Sequence, residues 1–313
     1  MILKRAKLFL MPGRQRCGPD PAMAETRQCI DLEKEIESLL DKGYRLDMIT
    51  PADSPREVQL SKNGKILRLL SEPPASAGGL TRPDATSWIK GRAGMLYRDL
   101  IPGRLNGKLI ASHIRLTEGG PVADYVHYHK IDFQLIYCLG GRIRVVYEGQ
   151  GDPFWLEPGD CILQPPEMRH RVLECEAGSE VLELSSPAEH ETWVDHEMTL
   201  PTSEIDSHRL FGGQRFVHSI ASEAKWQPAE NDGVEIRNFG IYEATSGLLD
   251  VTIRRMKDPE DARALSPRSG MVALGFVVAG KEKLQPGDTS ISVSESSAHT
   301  MTEILRIEFR DHH

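Results

Sequence analysis

The sequence predicts an all-β chain, and three observations carry that prediction. From Met95 to about Ser186, short apolar runs alternate with Gly, Pro, Asn and Asp turns at spacings of roughly ten residues. Almost no helical period runs through that stretch, so a sandwich or barrel is expected. The rhythm resumes from Arg215 to Phe309, in Val234–Tyr242, Leu248–Arg254, Met271–Val278, Thr289–Val293 and Ile304–Phe309. The first block also holds His127 and His129, which point to the same face if they lie on one strand. A third histidine from a distant strand, His170, completes a concave imidazole cluster of the kind that holds a divalent transition metal.

Taken in order, residues 1–30 read as a flexible extension with a natural start near Met23. The apolar stretch at Met1–Met11 is short and broken by charge, and no small-residue cleavage site follows it. Residues 31–94 form a helix-and-hairpin arm with a linker. Leu32, Ile36, Leu39 and Leu40 share one face of a helix over 31–42, with Asp31 as its cap and Gly43 as its stop. Strands follow at Tyr44–Thr50, Glu57–Leu60 and Lys65–Leu70, the last two joined by the hairpin signal Asn63-Gly64. Residues 71–90, rich in Pro, Gly and Ser, read as linker. Residues 95–200 form the first β-domain and end in an acidic connector, Glu189–Pro201; residues 201–313 form the second.

Composition narrows the function classes. Of 313 residues, 39% are apolar and 27% charged, the profile of a globular chain. The 38 basic and 46 acidic residues give a net charge of −8 with no basic block, which argues against a nucleic-acid partner. Five cysteines without a Cys-x-x-Cys pair indicate neither a disulfide framework nor a zinc ribbon, and a cytoplasmic location is expected. Cys138 and Cys161 read as small buried hydrophobes. No apolar run reaches a membrane span.

The second block echoes the first. Cys138–Val145 lines up with Val277–Leu284, Pro158-Gly-Asp160 with Pro286-Gly-Asp288, and His170 with His299, which indicates an internal duplication. Ser266, Arg268 and Ala273 stand where the first copy has His127, His129 and Gln134, so the second copy is expected to hold no metal.

With these residues in view, the chain resembles the cupin superfamily. His127-x-His129-x4-Gln134-x6-Gly141 is similar to the first cupin motif, and Gly159-x5-Pro165-Pro166-Glu167-x2-His170 to the second. Gln134 replaces the usual Glu, and Glu167 the usual Gly. The resemblance implies tandem jelly-roll barrels, the first with a divalent metal (Fe, Mn, Ni, Zn or Cu) near its centre and the second degenerate. It also implies a small-molecule substrate and a homodimer. Cupin activities include dioxygenases, isomerases, lyases and binding proteins. The expectation taken forward is a metal-dependent dioxygenase, with an isomerase or lyase and a non-catalytic ligand-binding bicupin as alternatives.

The expected metal ligands are His127, His129, Gln134 and His170. An amide at position 134 leaves the ion's charge undiminished, so it would acidify bound water more strongly. If Gln134 does not ligate, a three-His face remains. Three further residues are candidates for catalysis. Glu183, polar in an apolar strand, would be a general base. Arg169 would bind a substrate carboxylate, and His113 lies on a neighbouring strand. Tyr128 alternates away from the two histidines and is expected to face outward. His190, Asp195 and His196 read as polar connector residues.

Overall fold

A computed structural model describes residues 24–51, 55–71, 88–91, 95–101, 104–229, 233–256, 271–279 and 302–310. The fold is all-β, with three short α-helices and one 3-10 turn (Ala221–Glu223) among the described residues. The arm comprises β1 (Glu25–Gln28), α1 (Leu32–Asp41), β2 (Arg45–Thr50), β3 (Glu57–Lys62) and β4 (Lys65–Leu70). Helix α1 starts where the Asp31 carboxylate accepts a hydrogen bond from the Lys34 amide at 3.1 Å. It stops at Gly43, whose φ of 80° closes the C-terminus. Asn63 and Gly64 have φ of 51° and 76°, the paired left-handed residues of a tight hairpin. Leu32 and Leu39 of the helix pack on Val58, Leu60, Leu67 and Leu69 of the strands, giving the arm a core of its own.

The middle of the chain supplies β5 (Ile89–Lys90), β6 (Leu96–Asp99), α2 (Arg104–Gly107), β7 (Ile110–Leu116), β8 (Gly120–Pro121), β9 (His127–His129) and β10 (Phe133–Gly140). It continues with β11 (Ile143–Tyr147), β12 (Phe154–Leu156), β13 (Cys161–Gln164), β14 (His170–Cys175), β15 (Ser179–Ser186) and β16 (Thr192–Val194). After these come β17 (Leu210–Phe211), β18 (Gln214–Arg215) and β19 (Val217–Ser219). Two sheets result. One runs β1-β4-β3-β2-β16-β9-β14-β11-β12, with β8 also on β14; the other runs β19-β13-β10-β15-β7-β6-β5. Between them lie Ile114, Leu116, Cys138, Ile162 and Val181 from one side and Ile143, Val145, Tyr147 and Leu156 from the other.

The last elements are β20 (Gln227–Pro228), β21 (Val234–Asn238), α3 (Ile241–Ala244), β22 (Leu249–Met256), β23 (Met271–Ala279) and β24 (Thr302–Arg310). Their strands form one antiparallel sheet in the order β20-β21-β22-β24-β23. Leu249, Val251, Ile253 and Ile307 pack against Leu135, Tyr137, Cys161, Leu163, Leu182 and Leu184, the outer face of the β10 sheet. The β10 sheet is therefore covered on both faces, which explains why its strands read as continuous apolar runs rather than alternating ones.

Several expectations change. The connector 189–201 contains a strand, β16, which pairs with β2 of the arm and with β9. The segment read as linker to residue 90 ends in β5, paired with β6. The run Val234–Tyr242 stops as a strand at Asn238, because Gly240 at φ 73° turns the chain into α3. Residues 217–219, placed by sequence in the second domain, extend the first through the β19–β13 pairing. Residues 1–23, Thr289–Val293, Pro286–Asp288, His299, Ser266 and Arg268 lie outside the described residues.

Gly141, between β10 and β11, has φ +63°, and a Cβ there would stand 2.5 Å from Ser179 Oγ and 2.8 Å from Ser179 Cα. Gly141→Ala should thus combine a backbone penalty of about 1–3 kcal/mol with a clash, and lower the urea midpoint of the described domain. An unchanged midpoint would show that this turn is not held as described.

Candidate metal centre

Strand alternation places the inner residues. On β9, His127 and His129 are buried and face inward, while Tyr128 between them lies half-buried on the other side. β14 pairs with β9 so that His170 stands opposite His127. The three imidazoles each offer a nitrogen within 4.8 Å of the others, all buried. Ring centroids are 4.1 Å apart for His127–His170, 5.1 Å for His127–His129 and 5.2 Å for His129–His170.

The other ring nitrogens are committed. His127 Nδ1 lies 2.8 Å from the Tyr125 carbonyl oxygen, and His170 Nδ1 lies 3.1 Å from that of Met168. A carbonyl only accepts, so both Nδ1 atoms carry their proton and both Nε2 lone pairs are left for a cation. His129 Nδ1 lies 2.7 Å from Thr192 Oγ1. With Nδ1–H donating to that hydroxyl, His129 joins the other two. Behind His127 stands the buried Asp124 carboxylate at 3.6 Å, itself held by the Val172 amide at 2.9 Å. Second-layer partners of this kind orient imidazoles and raise their basicity.

Gln134 stands opposite Gln164 on β13. Its Oε1 accepts from Gln164 Nε2 at 2.6 Å, leaving Gln134 Nε2 and Gln164 Oε1 buried without a partner among the described residues. Turning both amides over preserves one hydrogen bond and frees Gln134 Oε1 as a fourth donor. The three nitrogens and this orphaned amide position fit a divalent transition metal.

The centre opens into a cavity between the two sheets. Glu183 lines it, opposite Ile136 in the β10–β15 register. Tyr147 is wholly buried and stacks on His170 at 5.5 Å; burial, and then the charge of Glu183, pushes its phenol far above the usual tyrosine range. Glu167 occupies the turn before His170 with φ 57°, and its amide donates to the His129 carbonyl at 3.0 Å. That left-handed backbone is why a glycine is the easier residue there.

Two catalytic candidates do not reach the cavity. Arg169 lies 4.2 Å over the outward-facing Tyr128 ring, and its Nε donates to Asp195 at 3.1 Å. His113 sits on the opposite face of β7 from Ile114 and Leu116. Arg98 donates to its Nδ1 at 3.1 Å, so its Nε2–H donates to Glu180 at 2.6 Å. Trp88 packs on the ring at 5.0 Å. His113 is a neutral structural imidazole, held below the usual imidazole pKa first by burial and then by Arg98 and Arg115, against the pull of Glu180. His190, Asp195 and His196 go to separate partners, His190 edge-on to the His129 ring at 5.4 Å.

A family model described as a cupin domain matches residues 112–184. Residues 112–184 are a cupin domain. The cupin segment thus spans β7 to β15 and contains all three histidines. Among solved structures, a point mutant of Bacillus subtilis oxalate decarboxylase OxdC is similar over 77% of this chain and 81% of that one, at 13% identity and TM-score 0.49. The same enzyme at pH 4.6 is similar over 76% of this chain and 79% of that one, at 13% identity and TM-score 0.45. No curated protein matches.

Sequence reasoning missed Thr192, Gln164 and Tyr147. Thr192 had a signal, since Thr-Trp-Val is strand-forming text inside the connector. Gln164 shares its face of β13 with the core residue Ile162, which marks it as inward.

Thr192→Val, which keeps the shape and removes the hydroxyl, should weaken metal binding roughly 10–100-fold, whereas Thr192→Ser should restore it. Competition against a chelating dye reads this directly. A depressed His113 pKa contributes stability above the ordinary imidazole value, and that stability is lost as pH falls toward the depressed one. The fall in urea midpoint between about pH 7.5 and about pH 5 should therefore be smaller in His113→Gln than in the wild type.

Proposed function

We propose that the chain is a metal-dependent cupin enzyme of the dioxygenase type, acting on a small organic molecule. The observation that carries this reading is a three-imidazole face, with the tautomers of His127 and His170 set by backbone carbonyls, opening on a largely apolar cavity that holds one carboxylate. His127, His129 and His170 would hold a divalent ion (Fe, Mn, Ni or Zn), with Gln134 as a fourth donor once its amide is turned. When bound, such an ion supplies Lewis acidity and, for iron or manganese, the redox capacity that O₂ chemistry needs.

The chain's own residues do the rest. Glu183 accepts the proton of a substrate hydroxyl brought to the histidines. Apolar walls exclude water, which strengthens charge interactions at the polar end. Tyr147 stacks on His170 and limits its rotation. A second reading, isomerase or lyase work by Lewis-acid polarisation, is favoured by the neutral amide at position 134. Residues 201–313 fit a second, metal-free barrel whose sheet backs the first; the motif echo and the five-stranded sheet support this.

Metal analysis of the purified protein, followed by O₂ uptake with diketones, catechols and hydroxy acids, tests the reading. Iron or manganese at one per chain with substrate-dependent uptake is expected. His170→Ala should abolish both, and Glu183→Gln should cut turnover by roughly 10²–10⁴-fold while leaving metal content intact. Zinc with turnover but no O₂ uptake would favour the second reading. A stoichiometric organic ligand without turnover would leave a binding protein.

A further inference from the structure

The register of the two sheets sorts the cavity into levels along its axis. His170 stands opposite Tyr147, and two residues on, Val172 stands opposite Val145. On the facing sheet, Gln134 precedes Ile136, and Glu183 pairs with Ser112 while Val181 pairs with Ile114. Leu116 and Ile143 lie one step further along their strands, and both line the cavity. Every polar group of the metal centre therefore belongs to one end, and beyond it come two successive levels that are apolar apart from the Tyr97 hydroxyl, which donates to Met95 Sδ at 3.7 Å.

The charge inventory has the same polarity. Glu183 is the only carboxylate among the lining residues, and no lysine or arginine is among them. Two arginines on the same strands are turned outward and engaged: Arg115 with Glu180 at 2.7 Å, Arg144 with Glu174 at 2.8 Å. An anionic group carried to the far end would meet no cation among the lining residues. An apolar group of the same size would gain from burial.

We infer that the ligand of this site is asymmetric: a single oxygen-donor head seats at the three histidines, and an uncharged, apolar body fills the levels beyond. The inference rests on the reading of the histidines as a metal centre. It separates this site from one built for a small dicarboxylate, which needs polar partners at both ends.

Three probes with one head test it: benzohydroxamic acid and its 4-tert-butyl and 4-carboxy derivatives, titrated calorimetrically into the full-length protein loaded with redox-silent zinc. The 4-tert-butyl compound should bind at least tenfold tighter than the parent, and the 4-carboxy compound at least tenfold weaker. Equal affinities for all three, or tighter binding of the 4-carboxy compound, would overturn the inference and leave the metal centre standing. Failure of the wild-type protein to take up zinc would instead overturn the reading beneath it.

Discussion

Hydrogen bonds at Nδ1 of His127, His129 and His170 determine which nitrogen of each ring is left for a cation. A histidine that donates through Nδ1 presents a lone pair at Nε2, and one that accepts there presents a proton. Two of the three acceptors are backbone carbonyls two residues earlier in the chain, so the strand's own path sets the tautomer. The third is a side chain from a different element. The chemistry of the site depends on these three contacts before it depends on any substrate.

The walls follow from a second constraint. The β10 sheet is packed on both faces, by the cavity side and by the sheet of β20–β24. It cannot shift toward either without opening a void, so the inward residues Gln134, Ile136 and Glu183 are held at fixed heights along the axis. Its thiols fit the same picture. Burial pushes the Cys138 thiol up to about 12, and Cys161 is driven up further still. They pack as small apolar groups.

Local signals in the sequence were strong where one short stretch determines the outcome. The helix cap at Asp31, the Asn63-Gly64 turn and the strand position of His127 and His129 are of this kind. Pairings between distant segments were less legible. Thr-Trp-Val has the composition of a strand, but nothing in it announces a place wedged between the arm and β9, because its partners lie far away in the chain. Arg169 is a candidate because it stands beside His170 in the sequence, and His113 because its strand is expected to neighbour the site. Strand alternation turns His113 away, and the turn before His170 sends Arg169 out onto Tyr128.

The wedged position of β16 bears on how the domain assembles. Its strand joins a segment near residue 50 to one near residue 128, and it is made after both. Contacts of such long sequence separation form late, since the intervening chain must first be gathered in. On the ribosome, the rings of His127 and His170 acquire their carbonyl partners from within their own turns. His129 acquires its partner only when the chain has grown past Val194, so a nascent barrel starts out one ligand short of cation-ready.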